Sequence, residues 1–369
     1  MRYDRLTGSV ALNICELCGR PDDAERQRLG DAAGLELTTY RTQYVHNDIT
    51  YMIIGSAYVK NDVICDVTPY MPDAPLPSAG DGTLLAAFLW CLHTGADTAH
   101  LAVLGVDGDG NVCGGEVVSR GREALEKYFL RRLDKVAGVA AMLRERAEQI
   151  LPSAARVRFP YPGLRRGQRL MMEECYDCMC RGERLFVEAP TGIGKTISAL
   201  YPAVKYLGAG KCDKIFYVTA KSSTQNEAYK AAGALFRGGA MLRTVVLSAK
   251  EQMCLRREHM TAGMCDVRHC RYATASAETV MAGASELLSL QNGYDGAIIR
   301  RVAERYGVCP YELSLTLAEY CEIVIADYNY IFDPLVYLRR FFRDAGDDAR
   351  YILLIDEAHI LADRAREMY

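Results

Sequence analysis

A phosphate-binding loop in the middle of the chain constrains the fold more than any other feature. The apolar run 185–187 leads into Ala-Pro-Thr-Gly-Ile-Gly-Lys-Thr at 189–196, and a helix-forming segment follows at 197–207. Small residues let backbone N–H groups converge on phosphates, and the helix N-terminus adds positive potential. The motif therefore predicts the strand, turn and helix of a parallel α/β sheet that binds a nucleotide. A chance Gly-x-Gly-Lys-Thr on a surface turn is the alternative.

Four residues carry the predicted chemistry of this loop. Gly192 and Gly194 allow the backbone to approach the phosphates closely. Lys195 can reach the β- and γ-phosphates, and the hydroxyl of Thr196 can ligate Mg²⁺. The predicted ligands are therefore ATP and Mg²⁺.

An acidic box supplies the second half of the predicted site. The apolar run 351–355 precedes Asp356-Glu357-Ala358-His359. A continuous apolar run suits a strand buried on both faces of a parallel sheet, and such sheets bind ligands at the carboxyl ends of their strands. Asp356 can hold Mg²⁺ together with Thr196, and Glu357 can polarise the attacking water. A purely structural role for the two acids is the alternative.

Length and composition bound what else the chain can be. Its 369 residues predict about two domains, and 50% hydrophobic residues suffice for ordinary cores. No apolar run approaches a membrane span and the N-terminus lacks an export signal, so we expect no membrane contact and a cytoplasmic location. Fourteen cysteines in that compartment do not indicate a disulfide framework. The net charge of -3 leaves DNA binding open.

Residues 1–155 are predicted to form a first α/β domain. The pattern is a helix, three strands, a helix, a strand, a hairpin turn and a long closing helix. The corresponding segments are 21–33, 35–44, 50–54, 63–67, 84–90, 101–106, 107–111 and 122–150.

This order of elements resembles the nuclease fold of the PD-(D/E)XK group. One strand of that fold carries Gly-x-Ala-Asp and the next Asp-Glu-x-Lys, whereas the aligned stretches here read Gly-Ser-Ala-Tyr at 55–58 and Cys-Asp-Val-Thr at 65–68. Tyr58 cannot ligate a metal as aspartate would, and Thr68 cannot supply the ammonium group, so only Asp66 is kept. The resemblance implies a degenerate nuclease-like accessory domain without activity. An unrelated α/β accessory domain is the alternative.

Residues 156–369 are predicted to form a RecA-like, parallel-sheet domain. Apolar strands at 214–219, 244–248, 323–326 and 351–355 alternate with helical or irregular segments after the phosphate loop. Gln168 begins the helix before the loop, where its amide can read an adenine edge. An exposed glutamine at a helix start is the alternative interpretation.

An insertion at about 250–312 contains four cysteines, Cys254, Cys265, Cys270 and Cys309, which are separated by ten, four and 38 residues. Four thiolates with uneven gaps suit a [4Fe-4S] cluster, which needs one cysteine per iron, and zinc is the rival. Cys15 and Cys18 form a lone pair without a second pair at zinc-site spacing, so buried or incidental cysteines are favoured there.

Together these motifs resemble the XPD/DinG-like family of superfamily 2. The sequence keeps the family's order of motifs: the loop with Ala189 in place of the usual first glycine, Thr-Ala-Lys at 219–221, the four cysteines ending in Cys-Pro-Tyr-Glu at 309–312, Ala-Asp-Tyr-Asn-Tyr at 326–330, and the Asp-Glu-Ala-His box. The family comprises iron-sulfur, ATP-dependent DNA helicases that move 5′ to 3′ on single strands. The resemblance implies that Gln168 reads adenine, that the four cysteines hold a [4Fe-4S] cluster, and that residues 327–329 lie near the DNA path.

The printed sequence ends ten residues after His359, whereas the family continues with an arch domain and a second RecA-like lobe. Hydrolysis in such motors needs an arginine from the second lobe. We therefore expect the ATP-binding front half of a helicase that acts in DNA repair or replication. Its expected partners are single-stranded or forked DNA and a C-terminal helicase lobe, in the same chain or a separate one. The alternative is a non-catalytic ATP- or DNA-binding module whose degenerate nuclease domain serves as a docking surface.

Overall fold

The computed structural model describes residues 2–4, 7–14, 17, 24–72, 75–190, 192–256, 265, 267, 270–290, 292–334, 336–342 and 349–368. The chain divides into two compact units, Met1–Ala147 and Glu148–Tyr369. The division precedes the predicted boundary at 155/156 because a short helix, Leu151–Arg156, packs with the second unit through Leu151 and Ala154. None of the described helices combines the length and apolar character that a membrane crossing needs.

The first unit is built on a seven-stranded mixed sheet with the order β1-β2-β4-β5-β6-β7, and β3 pairs with β4. Pairing is antiparallel for β3–β4, β4–β5 and β6–β7 and parallel for β2–β4 and β5–β6. The described elements are β1 Arg2–Asp4, β2 Ser9–Asn13, α1 Ala24–Ala32, β3 Glu36–His46, β4 Ile49–Lys60, β5 Val63–Pro69, α2 Asp81–Thr94, β6 Thr98–Val106, β7 Val112–Gly121 and α3 Arg122–Glu145. The predicted helices and strands are present in the predicted order, but β1, β2 and β7 are additional. The predicted helix 122–150 is α3 followed by a π-helix, Arg146–Ile150.

Short hairpins connect the strands of this sheet. Asn47 and Asp48 join β3 to β4, and Asn61 and Asp62 join β4 to β5, each with a positive φ between 49° and 62°. Two-residue turns with both φ angles positive match the twist of the flanking strands, and Asn and Asp tolerate that conformation. β3 and β4 consequently run further than the predicted strands 35–44 and 50–54. The predicted turn at 107–111 is confirmed, because the Asp107 carboxylate accepts the Asn111 N–H at 2.8 Å between β6 and β7.

The core of the first unit lies between the sheet and the helices α2 and α3. Phe88 of α2 and Phe129 of α3 are fully buried, with their ring centroids 4.9 Å apart. Each such ring contributes roughly 1.5–3 kcal/mol by burial. Gly55 of β4 is needed here, since a Cβ at that position would lie 2.6 Å from the Ile14 side chain. The same Cβ would lie 2.8 Å from the side chain of Leu89 in α2, so the close packing of α2 on the sheet also requires this glycine.

The second unit is built on a five-stranded parallel sheet with the order β10-β9-β11-β8-β12. Its strands are β8 Lys214–Val218, β9 Thr244–Val246, β10 Gly293–Tyr294, β11 Ile323–Ala326 and β12 Tyr351–Ile355. Its helices are α4 Leu151–Arg156, α5 Gln168–Arg181, α6 Lys195–Gly208, α7 Ser222–Arg237, α8 Lys250–Met253, α9 Ala277–Leu290, α10 Gly296–Tyr306, α11 Pro310–Tyr320, α12 Asn329–Phe332, α13 Arg339–Phe342 and α14 Leu361–Met368. The α/β, RecA-like parallel sheet predicted for this part of the chain is confirmed.

The inner strands are buried on both faces, as their apolar sequences predict. Every residue of β8 and β11 is buried, and α6 covers one face with the fully buried Leu200, Val204 and Leu207. At the amino end of the sheet, the buried Lys214 amine donates to the carbonyl oxygens of Ala318 and Cys321 and so closes the C-terminal turn of α11. A buried ammonium needs such acceptors, because an unpaired charge there would cost several kcal/mol.

Two expectations about strands are wrong. Residues 185–187 form no strand: they lie in an irregular segment, and the side chain of Phe186 is 87% exposed. β12 is a sheet edge whose Leu353 is 41% exposed, so it is not buried on both faces. A strand needs a neighbour for its backbone, and no described strand pairs with 185–187 or with the outer side of β12.

Candidate ATP site

The phosphate loop ends at the N-terminus of α6. Gly192 and Gly194 have φ angles of +81° and +86°, in the left-handed region that glycine adopts without strain. Lys195 is the first residue of α6, and its amine donates to the Ala189 carbonyl at 3.2 Å, across the loop. Thr191 lies outside the described residues. The loop therefore presents a helix N-terminus and an ammonium group to the same place, which is the arrangement that binds phosphate.

Tyr217 of β8 links the two predicted halves of the site. Its hydroxyl donates to Asp356 Oδ2 at 2.9 Å and lies 3.4 Å from Thr196 Oγ1. The structure thus brings Thr196 and Asp356 within hydrogen-bonding distance of the same hydroxyl group. Burial, together with the nearby Asp356 carboxylate, raises the pKa of Tyr217, so the hydroxyl stays protonated.

The backbone at Asp356 is fixed by β8 and by the segment that follows β11. Its N–H donates to the Val218 carbonyl at 2.9 Å, and the Tyr328 hydroxyl donates to its carbonyl oxygen. Burial raises the pKa of Tyr328 to about 12, and the carboxylates of Asp356 and Glu357 act in the same direction. Asp356 Oδ1 accepts the N–H of Glu357 at 3.1 Å. The carboxylate therefore has a defined orientation at the carboxyl end of β12.

Glu357 holds an unusual backbone conformation. Its φ is +54°, and the chain turns there from β12 into a short 3₁₀ helix, Ala358–Ile360. Glutamate has no local preference for the left-handed region, which costs about 1–2 kcal/mol for ordinary residues. The Glu357 carboxylate lies 3.4 Å from His359 Nδ1. The turn directs a second acid beside Asp356 at the edge where parallel sheets bind ligands.

Gln168 packs against the phosphate loop. It is only 3% exposed, and its Oε1 accepts the Arg165 N–H at 2.7 Å. A Cβ on Gly194 would lie 2.6 Å from Gln168 Nε2, so the amide group borders the loop directly. The guanidinium of Arg165 donates to the Gly192 carbonyl. The interpretation of Gln168 as an exposed residue at a helix start is wrong, and the segment 165–168 holds the loop from one side.

The predicted motif at 327–329 follows β11, at the same edge of the sheet. Asp327 Oδ1 accepts the Asn329 N–H at 3.0 Å, and the Tyr330 hydroxyl donates to the Ser248 carbonyl at 2.9 Å. Asn329 Oδ1 is buried without a hydrogen-bond partner among the described residues. A buried unpaired amide oxygen costs about 1–3 kcal/mol. Within the described ranges, no contact of this motif assigns it to DNA.

The four cysteines of the insertion are all described, and none forms a disulfide. Cys254 follows α8 and Cys309 caps α11, and these two helices pack together. Burial raises the pKa of the Cys309 thiol, while N–H groups of Glu312 and Tyr311 act in the opposite direction. Across the described ranges, no three side chains of His, Cys, Asp or Glu lie close enough to hold a metal ion.

The four side chains have the right chemistry to bind an iron-sulfur cluster, but their positions do not form a cluster site. All four groups are thiols, and N–H groups at a helix start stabilise thiolate. The structure does not bring the four sulfur atoms together, so the [4Fe-4S] cluster stays a prediction. Cys15 and Cys18, the other pair considered for a metal, lie outside the described residues.

The residues of the degenerate nuclease-like motif, Tyr58 and Asp66, do not form a metal site in the first unit. Tyr58 pairs with Cys65, and both belong to one buried cluster with Val67. Since side chains alternate along a strand, Asp66 lies on the opposite face from these residues. Its carboxylate accepts the N–H of Val67 at 3.0 Å and that of Gly80, at the start of α2, at 2.8 Å. Asp66 therefore anchors α2 to the sheet.

Sequence reasoning missed Tyr217 and Arg165. The role of Tyr217 could have been suspected from its place in a largely apolar strand that ends near the loop. A buried tyrosine hydroxyl needs a polar partner, which predicts a polar group close to it. Arg165 had no comparable signal. Its contact with Gly192 depends on the path of the irregular segment before α5.

One family model matches the second unit. Residues 221–369 match the family model DEAD_2. The matched region includes the four cysteines, the motif at 327–329 and the Asp-Glu-Ala-His box, and begins after the phosphate loop.

Curated relatives are similar over parts of the chain. A regulator of telomere elongation helicase 1 homolog from Caenorhabditis briggsae is 25% identical over 250 residues, which are 57% of this chain and 24% of that protein. The homolog from Oryza sativa is 32% identical over 129 residues, 32% of this chain and 12% of that protein. A probable ATP-dependent helicase of Methanocaldococcus jannaschii is 47% identical over 49 residues, 13% of this chain and 8% of that protein. The chain spans about a quarter of the length of the nematode relative.

Two solved structures show limited similarity. An XPD helicase is 22% identical with a TM-score of 0.39, covering 56% of this chain and 34% of that one. A truncated XPD is 20% identical with a TM-score of 0.36, covering 54% of each chain.

Proposed function

We propose that this chain belongs to the XPD/DinG-like helicases of superfamily 2 and carries the ATP-binding lobe of a DNA-unwinding motor. The observation that supports this most directly is the position of Tyr217, whose hydroxyl contacts both Thr196, at 3.4 Å, and Asp356, at 2.9 Å. In this proposal Thr196 and Asp356 hold Mg²⁺, and Lys195 with the loop N–H groups holds the β- and γ-phosphates of ATP. Gln168 reads the adenine edge from its place beside Gly194.

Hydrolysis in this proposal uses Glu357 as the group that polarises the attacking water. The negative charge that develops on the γ-phosphoryl group needs a cation beyond Lys195 and Mg²⁺. We infer that an arginine of a second RecA-like lobe supplies it, on the same polypeptide or on a separate one. An absent arginine of this kind costs on the order of 10³–10⁵ in rate. Residues 1–369 alone should then bind ATP and hydrolyse it near background.

The DNA part of the proposal comes from the family resemblance. The substrate is single-stranded or forked DNA, the direction of movement is 5′ to 3′, and the process served is DNA repair or replication. Strand binding through the phosphate backbone should be weak and sensitive to salt when one lobe acts alone. The first unit is proposed as an accessory domain that does not cleave DNA, and a cytoplasmic location stays a prediction.

A [4Fe-4S] cluster on Cys254, Cys265, Cys270 and Cys309 is also part of the proposal. The cluster would join α8, the start of α11 and the segment between them, and would stabilise the insertion. Anaerobic purification should yield a brown protein with about four iron and four sulfide per chain, which is the composition of the cluster. Cys309→Ser should lower both, whereas Cys113→Ser, an exposed thiol of the first unit, should not. Stoichiometric zinc in a colourless protein would replace the cluster by a zinc site.

Calorimetric titration with Mg·ATP tests the central claim. Lys195→Ala should weaken binding by about 10- to 150-fold, since a charge-assisted contact to phosphate contributes roughly 1.5–3 kcal/mol. The matched control is Lys230→Ala, which removes an exposed ammonium from α7 and should leave the affinity unchanged. Equal affinity for the parent chain and the Lys195 variant would contradict the ATP site. ATP binding without DNA-stimulated hydrolysis after a second lobe is added would favour the non-catalytic module instead.

A further inference from the structure

The edge strand β7 of the first unit is an open surface. β7 pairs with β6 on one side, and no described strand pairs with its other side. It is ten residues long, contains no proline, and exposes Val117 (59%) and Val118 (36%). An edge strand of this kind offers a row of free N–H and C=O groups to another chain. Natural edges are commonly protected by charged side chains, by proline or by a bulge. The β6–β7 pairing has one register shift, which lies at the Val112 end of β7, away from residues 116–120.

The sequence of β7 is complementary to itself in the antiparallel direction. If two copies pair with Val118 opposite Val118, Glu116 of each copy lies opposite Arg120 of the other, and Val117 lies opposite Ser119. Glu116, Val118 and Arg120 share one face because side chains alternate along the strand. Neither Glu116 nor Arg120 forms an ion pair with a described residue. Both charges are therefore available for this pairing.

Other registers lose this complementarity. A centre at Val117 places Glu116 opposite Val118, and a centre at Glu116 places two carboxylates opposite each other. The other long edge strand, β3, pairs only with β4 among the described strands, and its centred self-pairing would put Arg41 opposite Arg41. Directly opposed like charges destabilise a sheet. The distribution of charge thus favours β7 and one register.

We propose that β7 is a homodimer interface in which two copies of this chain pair antiparallel about Val118 and form one continuous sheet. The interface is isologous, so each Glu116–Arg120 contact occurs twice about the two-fold axis. A short strand pair buries less surface than stable dimers do, so dimerisation should be weak and dependent on protein concentration. The proposal concerns the first unit and does not rest on the ATP site.

Charge exchange tests the register. Sedimentation velocity of the full chain over a wide concentration range should show a monomer–dimer equilibrium for the parent protein. Glu116→Arg and Arg120→Glu should each weaken the dimer by about tenfold or more, since each turns two attractive pairs into repulsive ones. The double variant Glu116→Arg/Arg120→Glu should restore the parent affinity. A monomeric parent protein, or single and double variants that behave alike, would overturn the proposal.

Cross-linking gives a second, independent measurement. In a Cys113→Ser background, Val118→Cys should form an intermolecular disulfide under mild oxidation, because the two-fold axis passes beside this residue. Val112→Cys, at the far end of the same exposed strand, should form it much more slowly. Equal rates for the two variants would overturn the register. The urea unfolding of each cysteine variant, compared with that of the Cys113→Ser parent, shows whether it folds.

Discussion

Two regions of the molecule hold non-glycine residues in the left-handed conformation, for different reasons. In the first unit these are Asn47, Asp48, Asn61 and Asp62, which form the two-residue hairpin turns. In the second unit the corresponding described residue is Glu357, at the corner after β12. Asn and Asp suit this conformation through their short polar side chains, whereas glutamate has no such advantage.

The hairpin turns and the corner at Glu357 therefore have different explanations, one from local conformation and one from function. The hairpins use residues that the turn itself favours, so their sequence needs no explanation beyond the twist of the sheet. At the corner the chain accepts strain of about 1–2 kcal/mol to place a carboxylate beside Asp356. Strain at a site that local structure does not require points to a role for that side chain. This is consistent with Glu357 as the water-polarising group.

The largest expected effect comes from removing that carboxylate. In the presence of a second lobe and single-stranded DNA, Glu357→Gln should lower the rate of ATP hydrolysis by about 10²–10⁴, the usual contribution of a positioned base. ATP affinity should stay within a few-fold of the parent, because the phosphate contacts remain. Rapid-quench measurement of phosphate release checks the rate. Full activity of this variant would remove Glu357 from the proposed mechanism.

A bulky residue in a hairpin should have an intermediate effect on stability. Asn61→Val should lower the free energy of unfolding of the first unit by about 1–2 kcal/mol, because a β-branched side chain is strained at positive φ. The control Asn61→Gly should change it by only a few tenths of a kcal/mol. Fluorescence of Trp90, the single tryptophan, reports this unit during urea unfolding. Equal stability of the Val and Gly variants would show that the turn is not strained.

The smallest expected effect is a gain in stability at the corner. Glu357→Gly should stabilise the second unit by about 1 kcal/mol, because glycine adopts the left-handed region freely, although it also has more freedom when unfolded. Hydrogen exchange of the buried amides in β8 and β11 measures this change. Glu357→Ala is the control, which removes the carboxylate but keeps the strain. Loss of stability in the glycine variant alone would contradict the comparison.

Sequence patterns predicted the elements that a local apolar run or a motif marks. The strands β8, β11 and β12, the loop glycines, and the acids Asp356 and Glu357 lie where apolar runs and motif spacing place them. The failures depend on distant partners. Residues 185–187 have the composition of a strand, but a strand needs a paired neighbour, and composition does not reveal one. The burial of Gln168 and the link through Tyr217 likewise depend on how separate elements meet.

The two hairpin turns could have been predicted from the sequence. Asn-Asp at 47–48 and 61–62 is a recognisable turn signal, and its use would have extended the predicted strands 35–44 and 50–54 to the turns. The face of the sheet on which Asp66 lies also follows from this register. Aligned sequence motifs placed Tyr58 and Asp66 on neighbouring strands, but only the strand pairing shows that their side chains lie on opposite faces.

The exposed segment at 183–190 makes the chain cleavable at a defined point. Phe186 is almost fully open to solvent in an irregular stretch, which is the kind of site where proteases cut first. A protease that prefers aromatic residues should nick the chain after Phe186, leaving Gln168 on one fragment and Lys195 on the other. One fragment contains the phosphate loop and the other contacts it through Arg165 and Gln168, so bound nucleotide should slow the nick. The rate of digestion thus becomes a readout of nucleotide occupancy that requires no label and no turnover.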